Sequence, residues 1–452
     1  MKENTSLKTT LNIVSVALVA FSGIMAETAM NVTFPVLSKE FHTDLNAIQW
    51  VTTAYLLAVT IMVTTSSYLI KRYSSRHLWL VSIAFFVIGT LICGFSSNLT
   101  FLILGRVLEG IAAGIAMPLV FNIVVATVPA AKIGAWMGLA SMIISLAPSF
   151  GPTYGGALAD TFGWRSIFFI LLIAPTISLL LGWKTVHEIK RHQVQGAFDG
   201  LAFLALALFL ASALLLVNKL EGGRVDWTWF IIAIVTLIIF VIRGMTSKAN
   251  FLNLKLFVQP KFIALLIPIS LYMFILLGLN LIIPTYLQYF LHASSFWAGF
   301  SLLPGALIGA LLAPLFGRLY DLRGPKLPLY LGNGIFTVVI VIMTLWIPKL
   351  SLPLIIILYI LFIIGRNMAY TSAQTAVIVD EDALQKADAT AIVQTLQMFM
   401  GALGTTVGAL FQAKYGAVNG LQHFSWLSVV LSILIFGLFA VYFSRKLQVK
   451  RA

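Results

Sequence analysis

The chain has 452 residues, 60% of them hydrophobic and only 10% charged, with a mean hydropathy of +1.00. Soluble domains carry about a quarter of their residues as charges, so a soluble globular protein is excluded, and 33 Phe residues with so little charge exclude a disordered one. The single Cys, Cys93, excludes a disulfide framework and a thiolate metal cluster. The net charge of +14 would fit a nucleic-acid binder only on one basic face, and here it lies in short gaps between apolar runs.

At roughly 20 apolar residues per crossing, the chain reads as fourteen spans, at about 11–34, 48–70, 77–96, 101–127, 133–158, 166–184, 199–218, 227–243, 261–290, 296–318, 327–347, 352–377, 389–412 and 424–444. Backbone groups in lipid must be satisfied within their own segment, so the spans are predicted to be helices. The runs do not alternate apolar and polar residues, which excludes membrane strands. The first run follows Lys2 and Lys8 and reaches Phe34, too long for a signal-peptide core and without a small-residue cleavage site. With an even number of spans both termini share one side. Placing them in the cytoplasm puts 21 of the 29 basic residues in inner segments. Lys39, Arg165, Lys219, Arg224, Lys349 and Lys414 are left outside, and Arg106 and Arg366 fall within spans.

Three pieces recur in one order at nearly one spacing. Ser67-Tyr-Leu-Ile-Lys71-Arg72 returns as Gly317-Arg-Leu-Tyr-Asp321-Leu, Gly105-Arg106 returns as Gly365-Arg366, and Gly151-Pro-Thr-Tyr-Gly155 returns as Gly404-Thr-Thr-Val-Gly408. The repeats predict two related six-helix halves, 1–190 and 251–452, with two further helices inserted at 191–250. Such a two-half bundle is the architecture of a secondary transporter.

These stretches resemble the major facilitator superfamily, and most of all its fourteen-helix drug:proton antiporter branch, over nearly the whole chain. Ala26-Glu27-Thr28-Ala29-Met30-Asn31-Val32-Thr33-Phe34-Pro35 is similar to the branch's first-helix signature, with Glu27 where Asp is usual. Arg106-Val107-Leu108-Glu109-Gly110 resembles the fourth-helix signature Arg-x-x-Gln-Gly, with Glu109 in place of Gln. Ala147-Pro148-Ser149-Phe150-Gly151-Pro152-Thr153-Tyr154-Gly155-Gly156 resembles the fifth-helix signature that tends to separate exporters from symporters. Gly317-Arg318-Leu319-Tyr320-Asp321-Leu322-Arg323-Gly324-Pro325-Lys326 resembles the cytoplasmic loop signature. Its first-half partner carries Ser67, Lys71 and Ser74 where Gly, Asp and Gly are expected. In the family that Asp helps latch the outward-facing state, and Lys71 reverses its charge.

The resemblance implies an all-α polytopic membrane protein with the major facilitator fold, resident in the plasma membrane with both termini cytoplasmic. It implies a monomer that handles small-molecule drugs and protons within the lipid bilayer, with no cofactor, no metal and no nucleic acid. Conformational roles fall on Gly151, Pro152, Gly155, Gly156, Gly317, Asp321 and Arg323.

Ionisable residues deep in spans are Glu27, Arg106, Glu109 and Arg366. Each costs about 2.5–3.5 kcal/mol or more in lipid, which marks them as functional or paired. Glu27 has no base in its own span, and burial favours its uncharged form. It is expected to take a proton from one side and lose it to the other when a cationic drug approaches. The competing reading is an interfacial acid touching headgroups. Asn31 lies one turn on, as a polar neighbour or a packing contact. Arg106 and Glu109, three residues apart, face each other as an ion pair, with Arg106 also tuning a carboxylate and Glu109 either neutralising it or titrating as a second site. Arg366 has no acid in its span and needs an acceptor from another helix; Asn367, Tyr370 and Gln374 share its helix. It disfavours simple cations nearby, which leaves room for zwitterionic or anionic drugs. Tyr55, Asn122, Asn280, Gln288 and Gln394 complete the candidate substrate contacts.

His187 and His192 are five apart, about 140° round a helix, and do not form a zinc motif. No nucleophile–base pair lies within a span, so an enzyme is not expected. The reading is a proton-coupled exporter of amphipathic drugs; the alternatives are an exporter of one metabolite or monovalent cation, and a solute:proton symporter.

Overall fold

The computed structural model describes residues 7–30, 33–43, 45–186, 198–220, 226–246, 252–293, 295–379, 381 and 385–449. Asn31, the His187–His192 stretch and Arg224 lie outside the described residues. Every regular element among those described is helical. In chain order they are α1 (Leu7–Met30), α2 (Phe34–Glu40), α3 (Leu45–Arg72), α4 (Ser75–Gly94), α5 (Leu99–Thr127), α6 (Ile133–Phe162), α7 (Arg165–Leu171) and α8 (Ile173–Gly182). There follow α9 (Gly200–Leu220), α10 (Trp227–Thr246), α11 (Pro260–Tyr289), α12 (Ser295–Phe300), α13 (Leu303–Arg323), α14 (Lys326–Trp346), α15 (Leu352–Val379) and α16 (Lys386–Val449). Among the described residues, twelve helices are long and apolar enough to cross a membrane.

Helix ends follow local chemistry. The Ser74 hydroxyl accepts from His77 N–H at the start of α4, and the Asn98 side chain accepts from Phe101 N–H at the start of α5, each satisfying a donor that the first turn leaves free. The span expected at 166–184 is broken into α7 and α8 at Leu172, where Pro175 in the next turn withholds a backbone donor. The break expected between 412 and 424 is present as a kink at Gly416, where two helices meet within α16; its φ of 77° is open to glycine at no steric cost.

The chain packs as two units. The first comprises Met1–Ala130 and Leu139–Phe198, the second Ala131–Gly138 and Asp199–Ala452. In the first, α5 is the hub, lying against α1, α3 and α4, with 78% of its most apolar window buried. In the second, α15 packs on α11, α13 and α14, α11 packs along α16, and α9 packs on α10 and α16. Only 17% of the corresponding window of α10 is buried; Ile231, Ile234, Ile238 and Ile242 point outward, as lipid-facing side chains do. At the start of α9, Asp199 accepts from Ala202 N–H and pairs with Arg243 of α10 at 3.2 Å.

Candidate functional site

In the first unit, glycines set the distances. A methyl at Gly105 would lie 2.7 Å from the Gly89 carbonyl oxygen, and one at Gly110 would lie 2.6 Å from the Tyr55 carbonyl oxygen. The backbone of α5 is therefore in direct contact with those of α3 and α4, and Tyr55, Arg106 and Glu109 between them are buried. Arg106 and Glu109 are both fully buried. Arg106 Nη1 donates to Glu109 Oε2 at 2.6 Å, its Nε donates to the Val51 carbonyl at 3.3 Å, and its guanidinium lies 4.2 Å above the Tyr55 ring. Thr90 Oγ1 donates to the other Glu109 oxygen at 2.8 Å. The ion pair expected from the three-residue spacing is thus present. Arg106 Nη2 is buried with no hydrogen-bond partner.

Glu27 sits half-buried on α1 and makes no hydrogen bond to a described residue. The charge that bears on it is Arg106, and Tyr55 is close to both. One guanidinium therefore faces two carboxylates. With both acids ionised the cluster carries one net negative charge; with one protonated it carries none. The α6 glycines bring their helix onto α1 beside Glu27: a methyl at Gly155 would run into the Ala29 carbonyl, and one at Gly151 into Thr28. Gly156 has nothing within 4 Å, and Pro152 contributes only its helical backbone to what is described.

In the second unit, Arg366 is 6% exposed. Its Nη1 donates to Asn367 Oδ1 at 2.8 Å, its Nη2 approaches the Met273 sulfur at 2.8 Å, and its guanidinium lies 3.9 Å over the Tyr370 ring. Its Nε is buried and unpartnered. The groups whose charge bears on it are Tyr370, Tyr359 and Tyr272, and no acid. The Tyr370 hydroxyl donates to Gln397, whose own Nε2 is buried without a partner. The Tyr359 hydroxyl donates to Asn280 at 2.6 Å, and the Tyr272 hydroxyl to Asn333 at 2.8 Å. Asn333 in turn donates to the Ser432 carbonyl at 3.1 Å.

The other predicted residues are scattered. Gln374 and Gln394 are buried. Asn122 is half-buried and donates to the Pro118 carbonyl of its own helix. Gln288 is exposed near the end of α11. Asp321 accepts from Gly134 N–H at 2.8 Å and Ala135 N–H at 2.9 Å with its two oxygens, a charged cap on the first turn of α6. Gly317 lies against Gly134, while Arg323 is exposed. Thr90, Asn333 and Tyr359 were not anticipated. A polar residue inside an apolar run was the available signal for Asn333; nothing local singles out Thr90.

The family model described as Major Facilitator Superfamily matches residues 16–405. A relative in Bacillus subtilis, the lincomycin resistance protein LmrB, is 29% identical and covers 96% of each chain. The protein of the same name in Listeria monocytogenes is 31% identical over 87% of this chain and 84% of its own length. A crystal structure of the human organic anion transporter MFSD10 superposes with a TM-score of 0.69 over 94% of this chain and 99% of that one. At 15% identity this is a likeness of fold alone.

Proposed function

This chain belongs to the major facilitator superfamily, and on that premise we propose that it is a proton-coupled antiporter that exports amphipathic drugs across the plasma membrane by alternating access. Both termini are cytoplasmic in this reading, as the basic residues of the inner segments require. The chain crosses fourteen times: to the twelve candidates are added α9, which has 21 residues, and the part of α16 before Gly416. Residues 1–190 and 251–452 are the two six-helix bundles, and 191–250 holds the inserted pair. Relatives with a name for lincomycin resistance support a toxic small molecule as cargo.

The observation that carries the coupling is the surplus acid beside Arg106. Glu109 already occupies the guanidinium at 2.6 Å, so the charge of Glu27 is not cancelled within the cluster. A proton on Glu27 and a cationic group beside it are two ways to reach neutrality, and they exclude each other. That exclusion is the physical content of antiport: drug arrival expels the proton, and proton return expels the drug. Glu27 takes the exchanged proton, Arg106 holds the local charge, and Glu109 with Thr90 keeps Arg106 in place. Asn31, Tyr55 and Asn122 serve the substrate, together with Asn280, Gln288, Gln374 and Gln394.

The test uses the full chain in liposomes with a fluorescent cationic dye and an imposed pH gradient. Wild type moves the dye against the proton flow, and Glu27→Gln abolishes the gradient-driven component while retaining its melting temperature. Dye movement indifferent to the gradient, or a Glu27→Gln variant that exchanges as well as wild type, overturns the proposal.

A further inference from the structure

Arg366 poses a problem that the export reading does not solve. A buried guanidinium is costly unless an anion accompanies it, yet the charges around this one come from three phenols, which are neutral near pH 7. What it has instead is poor. One nitrogen rests on a thioether, a weak acceptor, and one on the neighbouring amide oxygen; the neutral Tyr370 phenol lies alongside, and Nε has no acceptor in hydrogen-bond geometry. Gln397, joined to Arg366 through Tyr370, leaves a second buried donor idle. Two orphan donors within one buried network mean that the site lacks acceptors.

The surroundings describe what would supply them. Met273, Leu277 and Asn280 on α11, and Asn367 and Tyr370 on α15, are half-buried, so the network is not sealed. Met273 is an unbranched side chain able to swing aside. Moving its sulfur frees Nη2 next to the idle Nε, which restores the two-pronged edge that a planar carboxylate accepts in parallel. The ring of Tyr370 and the flank of Leu277 are apolar surface for the rest of the molecule.

We infer that Arg366, with Tyr370, Gln397 and Met273, forms the binding site for the carboxylate of an amphipathic substrate, so that the cargo includes compounds bearing one carboxylate on an aromatic or aliphatic body. This names a substrate class within the export reading and rests on it for the direction of transport only; binding is independent of that reading.

The experiment measures equilibrium binding of a matched trio, radiolabelled 2-naphthoate, 2-naphthamide and 2-naphthylmethylammonium, to the full chain in nanodiscs. Wild type binds the carboxylate at least tenfold more tightly than the amide, and binding of the ammonium, the class taken beside Glu27, does not fall when Arg366 is changed to Gln. Arg366→Gln brings carboxylate and amide to within threefold of each other. Arg366→Lys keeps the charge but not the fork, and retains a partial preference. Asn367→Asp places an internal carboxylate at the position that already accepts from Nη1 at 2.8 Å; with the shape conserved, it abolishes the preference even if Arg366→Gln fails to fold. A wild type that binds carboxylate and amide alike, or an Asn367→Asp variant that keeps the full preference, overturns the inference. Failure of the export reading looks different: naphthoate binds with the stated preference, but neither it nor a cationic dye moves under a pH gradient in wild-type vesicles.

Discussion

Arg106 on α5 and Arg366 on α15 each follow a glycine that brings a neighbouring helix into backbone contact, and they sit in opposite electrical surroundings. The scaffolds match closely. Gly105 meets Gly89 in the first unit, and Gly365 meets Gly332 in the second; the backbone nitrogens of Glu109 and Ala369 lie against the same two partner glycines. Glu109 and Ala369 therefore hold equivalent places, as do Thr90 and Asn333, each one residue past its glycine. On the first helix of each repeat, Thr28 abuts Gly151 and Phe274 abuts its repeat counterpart Gly404, so Met273 stands where Glu27 stands. One unit surrounds its arginine with two acids; the other surrounds it with phenols, amides and a thioether. Glycine contacts preserve the backbone geometry, and a few side chains on that geometry decide whether the arginine is paired with an acid or left without one.

The largest expected effect separates the two arginines by stability. Arg106→Gln strands Glu109 as an uncompensated buried charge, and breaking a buried pair this way costs about 3–5 kcal/mol. Arg366→Gln strands no anion, so the melting temperature of the purified protein stays within a few degrees of wild type or rises. The double variant Arg106→Gln/Glu109→Gln recovers most of the single loss, as coupled sites do. Equal losses for Arg106→Gln and Arg366→Gln would break the comparison, because an unseen anion would then have to accompany Arg366.

A smaller effect probes the glycine scaffold. Gly155→Ala forces a methyl onto the Ala29 carbonyl and Gly404→Ala one onto the Phe274 carbonyl; overpacking of this kind costs roughly 1–3 kcal/mol. Gly156 is flanked by open space, and its change to Ala gains up to about 1 kcal/mol of helix propensity. Thermal melts of the three variants check the ordering. Losses at 155 and 404 with none at 156 sharpen the claim that glycine contacts set the helix spacing within each unit.

Much of this was legible in the amino-acid order, and the part that was not has a physical pattern. Runs of apolar residues exposed the spans, because lipid leaves the backbone one solution. The three-residue step from Arg106 to Glu109 exposed their pair, because helical geometry puts such residues on one face. Contacts that reach across helices left no such trace. Thr90 on Glu109, Tyr55 beneath Arg106 and Met273 against Arg366 depend on which faces meet, and no local spacing encodes that. Arg366 shows the boundary well. The lack of an acid in its own span was visible, but the lack of one around it needed α11 and α16 in place. The short helices α2 and α12 also escaped notice, being absorbed into loops or longer apolar runs.

The smallest effect tests the comparison at the far end of the same repeats. His42 and His292, 250 positions apart, both take a φ of 51°, so the chain makes the same turn in each unit. Two residues earlier, the first unit has Glu40 and the second Phe290. Phe290 packs on the Tyr286 ring at 5.2 Å, whereas Glu40 accepts from the Trp164 indole and pairs with Arg165 at 2.6 Å. Partial burial of Glu40 opposes its ionisation, but the Trp164 and Arg165 hydrogen bonds and the Arg165 charge outweigh it and hold the carboxyl below its ordinary value of 4.5. A lowered carboxyl stabilises the folded state fully above that value, and the contribution drains away as pH falls through the folded-state value beneath it. Both side chains are 37% exposed, which limits the pair to less than about 1 kcal/mol. Glu40→Gln should therefore melt slightly lower than wild type at neutral pH and indistinguishably from it well below pH 4.5, while Phe290→Leu lowers the melting temperature by the same amount at both. A Glu40→Gln deficit that persists in acid would mean that this turn is held by shape, as its aromatic counterpart is, and not by charge.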